Sequence, residues 1–193
     1  MYFVAVGMWE RTITISSASK SFSVTGWRVG WSIGPKELID CLMIAHQNGT
    51  ISCTTPAQEA IARCIELEIP KLNQPQSHFK EQLEILQSKR NMFGQVLNNT
   101  GFKTCIPDAG YFVLADWTSV ATTEMIENEP ESSSDFKFAM WLMKNYRIAS
   151  IPPSAFFGDN KGVAEKFIRF CFFKENDVLE KAKKCLESMQ AYI

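Results

Sequence analysis

A lysine lies in a short run of small polar residues, Ser16-Ser17-Ala18-Ser19-Lys20-Ser21, between two segments rich in β-branched and aromatic side chains. Lysine is rarely buried without a partner, so packing gives little reason for Lys20 at this place. A lysine amine that has lost its proton is a nucleophile, and partial burial beside a second cation favours that loss. Arg28 follows eight residues later and could supply the cation. The pattern predicts a nucleophilic lysine; the alternative is a solvated turn in which Arg28 forms an ordinary salt bridge.

The same segment offers donors that suit a phosphate group. The hydroxyls of Ser17 and Ser19 can each donate a hydrogen bond, and the planar guanidinium of Arg28 presents a fixed fork of N–H groups. Small side chains also let a ligand approach the backbone closely. The spacing is moderately specific, so an anion site and a solvated turn both stay open at this point.

Arg169 is the single charged residue in the apolar segment Phe167-Ile168-Arg169-Phe170-Cys171-Phe172-Phe173. A run of this composition predicts a buried strand. An unpaired guanidinium in such a strand would cost several kcal/mol, so Arg169 needs an anion. Two kinds of anion satisfy this requirement: the carboxylate of a bound ligand, or an Asp or Glu elsewhere in the chain.

The elements that would hold Lys20 are two buried strands, predicted over residues 12–16 and 27–33. Pro35 then opens a helix with an apolar stripe, which comprises Leu38, Ile39, Leu42, Met43 and Ala45. The next helix begins at Thr55, because Thr55 and Gln58 have the spacing of a capping box. Residues 1–6 predict one more strand, which begins so abruptly that we expect further chain upstream.

The elements that would hold Arg169 begin with a long amphipathic helix over residues 76–97. Strands and helices are mixed after it, which is typical of an α/β domain. Strands are predicted over residues 102–105, 111–117, 147–151 and 167–173, and helices over residues 134–145 and 177–192. The Glu- and Ser-rich stretch 124–135 is interpreted as a solvated loop. We predict one domain over residues 1–72 and a second over residues 73–193.

Composition limits the class of protein. Of the 193 residues, 46% are hydrophobic and 21% are charged, which is typical of a globular protein with a substantial core. A net charge of −1 gives no basic patch for nucleic acid or an anionic membrane, so small ligands are expected. The six cysteines are widely spaced, without the pairs or histidine clusters of a metal site, and indicate reduced thiols. Reduced thiols favour a cytoplasmic location, with mitochondria as the alternative.

Residues 17–31 follow the pattern S-x-x-K-x-F-x-x-T-G-W-R-x-G-W. This pattern resembles the lysine signature of class I/II aminotransferases of fold type I. The run from Gly7 to Asn48 resembles the kynurenine aminotransferase branch of that family, also called glutamine transaminase K or cysteine-S-conjugate β-lyase. Later segments resemble the same branch in the same order: Tyr111-Phe112, Ile151-Pro152-Pro153-Ser154 and Ile168-Arg169-Phe170-Cys171-Phe172. The resemblance extends over nearly the whole chain.

The resemblance implies a fold, a cofactor and residue roles. The fold would be α/β: part of the large domain that binds pyridoxal 5′-phosphate, followed by the smaller C-terminal α/β domain. Lys20 would form the Schiff base with the cofactor, Ser17 and Arg28 would bind its phosphate, and Arg169 would bind the substrate α-carboxylate. The substrates would be an amino acid of kynurenine, glutamine or aromatic type and a 2-oxo acid, with β-lyase side activity. The complete protein would be a homodimer, with residues 48–55 of one subunit near the site of the other.

Departures from the family pattern accompany this resemblance, and one of them is Arg28, which stands where the branch commonly has lysine and keeps the positive charge. Ser19 stands where the branch commonly has glycine, which raises the question whether this position needs a positive φ. The family also has an aspartate that faces the cofactor ring nitrogen, and its position would precede Met1. We therefore expect the 193 residues alone to have little transaminase activity. The alternative function is that of a catalytically inactive fragment or an interaction module.

Overall fold

The computed structural model describes residues 6–50, 52–131, 133–158 and 161–189. The chain divides into two compact units, Met1–Glu81 and Gln82–Ile193, here called the first and the second unit. The domain boundary after residue 72 stays a prediction. The strand predicted over residues 1–6 lies outside the described residues except for Val6, and so do the last residues of the predicted C-terminal helix. Within the described ranges, no helix is long and apolar enough to cross a membrane.

The first unit contains an antiparallel pair of strands, β1 (Thr14–Ser17) and β2 (Gly30–Ile33). Gly30 lies opposite Ser17, and a Cβ at Gly30 would come within 2.9 Å of the Ser16 carbonyl oxygen, so only glycine fits there without a shift. Both strands were predicted as buried, and this is wrong, because Ile15 in β1 is 76% exposed and Ile33 in β2 is 51% exposed. The physical reason is that the core beneath the pair is small and consists of Ala18, Val29 and Ile61 with a few partly buried neighbours.

Three helices complete the first unit: α1 (Ala18–Ser21), α2 (Lys36–Gly49) and α3 (Thr55–Glu68). Pro35 is the N-cap of α2, yet none of the α2 residues is buried, so its predicted apolar stripe is at most partly covered among the described residues. The capping box predicted at Thr55 is wrong. Thr54 is the N-cap without a side-chain cap bond, and Gln58 donates to the Cys53 carbonyl oxygen instead.

The second unit begins within the long helix α4 (His78–Asn99), since the boundary between the units falls after Glu81. Its remaining elements are β3 (Lys103–Cys105), β4 (Phe112–Asp116), α5 (Ser134–Tyr146), β5 (Phe167–Cys171) and α6 (Asn176–Met189). The three strands form one antiparallel sheet in the order β3-β4-β5. The strand predicted over residues 147–151 is wrong: among the described residues it pairs only at Ile151, through an isolated bridge to Arg169. Two prolines without N–H groups follow Ile151 and cannot extend the pairing.

Helices α4, α5 and α6 and one face of the sheet enclose a core of 19 buried hydrophobic residues in the described part of the second unit. Along β5 the side chains alternate, so that Ile168 and Phe170 enter this core while Arg169 lies on the opposite face. The loop interpretation of residues 124–135 is wrong at two points, because Ile126 is 1% exposed and Asp135 is fully buried. Ile126 belongs to the core, and Asp135 lies in the first turn of α5.

Candidate active site

The turn that carries Lys20 is a short helix rather than the loop that the sequence suggested. Ser17 is the N-cap of α1, and its Oγ accepts a hydrogen bond of 3.1 Å from the Ser19 N–H. The Ser17 hydroxyl also lies 3.3 Å from the Val29 carbonyl oxygen, which accepts the Ala18 N–H as well. These bonds attach the start of α1 to the chain just before β2. Ser17 thus caps the helix on which Lys20 lies.

The end of this turn is anchored by the first residue of α4. The Phe22 ring stacks on the His78 ring at a centroid distance of 5.6 Å. His78 Nε2 donates to the Ser21 carbonyl oxygen at 2.9 Å, and the His78 backbone N–H donates to Glu68 at 2.9 Å. The chain just after Lys20 is therefore connected through His78 to the buried carboxylate of Glu68.

Glu68 is 8% exposed and accepts further hydrogen bonds from Ser77 Oγ and Lys71 Nζ, each at 3.3 Å. Burial raises the pKa of this carboxyl, but the His78 N–H, Lys71 and Ser77 act in the opposite direction. The net effect is a pKa below the ordinary glutamate value. Glu68 is consequently a charged acceptor that holds together the ends of α3 and the start of α4.

Arg28 lies at the start of the segment that leads into β2, in the left-handed conformation with φ 55°. Its Nη1 donates to the Thr25 carbonyl oxygen at 3.1 Å. The salt bridge considered for Arg28 is not found among the described residues. Ser19 lies in α1, and the positive φ angles of this region belong to Ser23 and Arg28. The serine at position 19 is therefore accommodated without backbone strain.

The side chains of Ser17, Lys20 and Arg28 are exposed in this chain. The partial burial expected for Lys20 is therefore wrong for the described residues. The reason is the one that exposes β1 and β2, a small core with little structure over it. Exposure also leaves room for a ligand at this turn, since the hydrogen bond found for the Arg28 guanidinium uses one of its nitrogens.

Arg169 is held rigidly by its backbone and by two aromatic rings. Its N–H and carbonyl oxygen bond to Ile151 at 3.0 and 2.9 Å, and it lies opposite Leu114 in the sheet. The guanidinium carbon is 4.2 Å from the centroid of the Phe112 ring and 4.5 Å from that of Phe156. Both contacts have cation–π geometry, so the side chain has little freedom to turn.

No Asp or Glu pairs with Arg169 in the part of the chain that the structure describes. Its Nε is buried and lacks a hydrogen-bond partner there. Of the two anions that the sequence left open, a carboxylate from elsewhere in the chain is thus not found. Aromatic contacts occupy the faces of the guanidinium, and the planar fork of donors is the group that binds a carboxylate through two parallel bonds.

Sequence reasoning missed Asp135, which lies under the segment that carries Phe156. Its carboxylate accepts the Ser154 N–H at 2.8 Å and the Ser154 hydroxyl at 2.9 Å. Ser154 belongs to the turn Pro153–Phe156 and is itself 2% exposed. An Asp just before an apolar helical run could have been recognised as a helix-start residue, but nothing in the sequence indicates its partner.

Comparison with known proteins decides the family. A family model described as aminotransferase class I and II matches residues 1–184. The chain belongs to this family. Kynurenine–oxoglutarate transaminase 3 of Bos taurus is 42% identical over 187 residues, which are 94% of this chain and 40% of that protein. Kynurenine–oxoglutarate transaminase of Dictyostelium discoideum is 39% identical, over 91% of this chain and 41% of that protein. The chain thus spans less than half the length of these relatives.

Solved structures show that the aminotransferase chain has the fold of its family, fold type I. Bna3p of Saccharomyces cerevisiae matches with a TM-score of 0.86 and 29% identity, over 96% of this chain and 44% of that one. N-succinyldiaminopimelate aminotransferase of Mycobacterium tuberculosis matches with a TM-score of 0.78 and 30% identity, over 95% and 43%. The expected α/β fold and the expected family are both confirmed.

Within this aminotransferase chain, the predicted site residues fall into two groups. Ser17, Lys20 and Arg28 lie around one turn of the first unit, and Arg169 lies on the sheet of the second unit. Tyr111 directly precedes β4 and stacks on Phe173, just after β5, at a centroid distance of 5.4 Å. Burial raises the pKa of the Tyr111 phenol. The roles assigned to the four site residues stay predictions.

Proposed function

We propose that this chain forms part of a transaminase that moves an amino group between an amino acid and a 2-oxo acid with pyridoxal 5′-phosphate. The observation that carries the proposal is the state of Arg169, a half-buried guanidinium fixed between two rings with no acidic partner among the described residues. A carboxylate is common to both kinds of substrate. Membership of the aminotransferase family supplies the reaction class.

Lys20, Ser17 and Arg28 would hold the cofactor. The exposed amine of Lys20 lies one turn from Ser17, and Arg28 has donors beyond the one given to Thr25. A phosphate group fits this set because it needs several donors and a positive charge. Bound there, pyridoxal phosphate supplies an electron sink for the negative charge that develops at the substrate α-carbon.

The residues of the chain would then divide the work. Arg169 binds the α-carboxylate through two parallel N–H donors, which fixes the orientation of the α-carbon. Lys20 Nζ would take the proton from that carbon and give it up on the cofactor side within the same half-reaction; with the second 2-oxo acid the same transfer would run in reverse. Arg28 and Ser17 keep the phosphate in place, so that the cofactor stays within reach of the Lys20 amine.

The substrate class we propose is an amino acid of kynurenine, glutamine or aromatic type, with β-lyase activity on cysteine conjugates as a side reaction. Aromatic side chains around Arg169 support this class, since Phe112 and Phe156 contact the guanidinium directly. The complete protein would be a homodimer, with residues 48–55 near the neighbouring site; Ile51 of that segment lies outside the described residues. The relatives named for kynurenine also support this choice.

A catalytically inactive interaction module is the second candidate. It is favoured by the exposed apolar side chains of α2, where Met43 is 63% and Ile44 is 64% exposed. Such surfaces bind partners. The two functions differ in their demand on Arg169: catalysis needs its charge, whereas a packing role for the first unit does not.

Replacement of Arg169 tests the proposed function. In the longest natural form of the protein that binds pyridoxal phosphate, we expect Arg169→Gln to raise the KM for 2-oxoglutarate on the order of 10²-fold, because losing one partner of a buried charge pair costs about 2–5 kcal/mol. Arg147→Gln is the matched control in the same unit and should leave KM unchanged. Equal KM values for Arg169→Gln and the unaltered protein would contradict the proposal.

A further inference from the structure

We propose that Asp135 is a positioning residue for substrate-carboxylate binding, acting through Ser154 and Phe156 on Arg169; this rests on the proposed function. Asp135 is fully buried, yet no cation is paired with it among the described residues. A buried carboxylate is costly unless hydrogen bonds satisfy it. Its position therefore needs an explanation beyond solvation of a helix end.

The hydrogen bonds of Asp135 are directed at one segment. One oxygen accepts the Ser154 N–H at 2.8 Å, and the other accepts the Ser154 hydroxyl at 2.9 Å and the Phe136 N–H at 3.0 Å. Of these three donors, found among the described residues, two belong to Ser154, which lies 19 positions away in sequence. Asp135 thus fixes both the backbone and the side chain of a single distant residue.

Ser154 in turn fixes the ring that covers Arg169. The turn Pro153–Phe156 is short, and the Ser154 carbonyl oxygen accepts the Phe157 N–H at 3.1 Å, which closes it. Two residues after Ser154, the Phe156 ring lies 4.5 Å from the Arg169 guanidinium carbon. Before the turn, Ile151 bonds to the backbone of Arg169 in both directions. The segment therefore contacts Arg169 at its backbone and on one face of its guanidinium.

Phe156 has little to hold it apart from this connection, because it is 65% exposed. Without the Ser154 anchor, its ring would be free to leave the guanidinium, and Arg169 would sample more orientations. A carboxylate that binds through two parallel N–H donors depends on the orientation of the guanidinium plane. Asp135 is thus expected to affect carboxylate affinity without touching the ligand.

The test uses a graded set of variants in the natural cofactor-bound protein. Ser154→Thr keeps the hydroxyl and the N–H and should behave like the unaltered protein. Ser154→Ala removes one bond to Asp135, and we expect the KM for 2-oxoglutarate to rise about threefold with kcat changed less than about twofold. Asp135→Asn places an amide N–H₂ against a donor, and we expect a rise of about tenfold. If Asp135→Asn fails to fold, Ser154→Ala still decides the question.

A pair of inhibitors separates positioning from general loosening of the fold. 3-Phenylpropionate carries a carboxylate, and 3-phenylpropan-1-ol has the same ring and chain without the charge. We expect Ser154→Ala and Asp135→Asn to raise the Ki of the acid by the same factors as KM and to leave the Ki of the alcohol unchanged. Equal losses for acid and alcohol, or no loss for either, would overturn the proposal.

A double-mutant cycle with Arg169→Gln shows through which residue the effect travels. If Asp135 acts through Arg169, adding Ser154→Ala to Arg169→Gln should change the Ki of 3-phenylpropionate by less than about twofold, since the two losses are not additive. Full additivity would overturn the inference while leaving the role of Arg169 intact. If Arg169→Gln itself has no effect on the acid, the proposed function fails, which is a distinguishable result.

Discussion

The two units of this chain place their reactive residues in opposite surroundings. In the described part of the second unit, 19 buried hydrophobic residues form one core, and Arg169 is fixed on the sheet that covers it. In the first unit, the buried hydrophobic cluster comprises Ala18, Val29 and Ile61, and Lys20 is exposed on a short helix above it. Arg169, the residue proposed to bind the carboxylate, is thus positioned by a large core, and Lys20, the proposed cofactor lysine, lies in a turn held by a few hydrogen bonds.

This difference shows that a residue can match a sequence motif without having the surroundings that the motif predicts. Lys20 has its sequence motif and the hydrogen bonds made nearby by Ser17 and His78, but its side chain lacks the partial burial expected from the sequence. Arg169 has both its sequence motif and the partly buried, aromatic surroundings described above. The chain spans 40% of the length of its Bos taurus relative. Of the two proposed roles, the catalytic role of Lys20 in the first unit is accordingly the one that is lost more easily.

The largest expected effect concerns Lys20. In the natural cofactor-bound protein, Lys20→Ala should lower turnover by about 10²- to 10⁴-fold, because a positioned base for proton transfer contributes about that much. Lys36→Ala is the control, since Lys36 is an exposed lysine of the same unit, paired with Asp40. The measurement is the steady-state rate with kynurenine and 2-oxoglutarate. A rate for Lys20→Ala close to that of Lys36→Ala would mean that the first unit does not carry the chemistry.

The next effect concerns the core of the second unit. Phe138 is fully buried and stacks on Trp117 at a centroid distance of 5.0 Å. Phe138→Ala should lower the free energy of unfolding by about 3–5 kcal/mol, the usual cost of removing a buried ring. Phe157→Ala, at a position that is 51% exposed, should change it by less than about 0.5 kcal/mol. Urea unfolding followed by fluorescence measures both, and equal values would contradict the account of a well-packed core in the second unit.

The smallest effect concerns acid stability of the first unit. The Glu68 pKa is lowered in the folded chain, so the charged carboxylate stabilises the fold at pH values above the ordinary glutamate pKa of about 4.3. That stability is lost as the pH falls through the lowered value. Glu68→Gln should therefore flatten the pH dependence below about pH 4.3. Hydrogen exchange at residues 68–78 measures it, with Glu59→Gln as an exposed control; a slope equal to that of the unaltered chain would count against the role of Glu68.

Much of the fold could be predicted from local patterns. The helices α2, α4, α5 and α6 and four of the five named strands lie where the local sequence patterns placed them. Helix α3 begins at Thr55 as predicted, although the capping box that suggested this start does not form. β2 begins later than predicted, at Gly30 rather than at residue 27. The strand at residues 147–151 failed because pairing depends on a distant neighbour, and only Ile151 meets one. Burial of β1 failed for a similar reason, since cover for a strand comes from other parts of a structure.

The candidate site also contains residues that the sequence could identify and one that it could not. Lys20, Ser17 and Arg28 could be chosen from residue types and spacing, and Arg169 from its solitary charge in an apolar run. Asp135 could not be chosen, because its partner Ser154 lies beyond an intervening helix and no motif links the two. Side-chain networks between distant segments are set by tertiary packing, which a single sequence does not encode in any local pattern.

The identity of the cofactor lysine is the central claim, and chemical trapping tests it most directly. The natural protein is incubated with pyridoxal 5′-phosphate, reduced with borohydride and digested, and the modified peptide is identified by mass spectrometry. We expect the visible absorbance of a lysine-bound cofactor before reduction and a single stable adduct on the peptide that contains Lys20 afterwards. An adduct on another lysine, or none on Lys20 in an active preparation, would contradict the assignment.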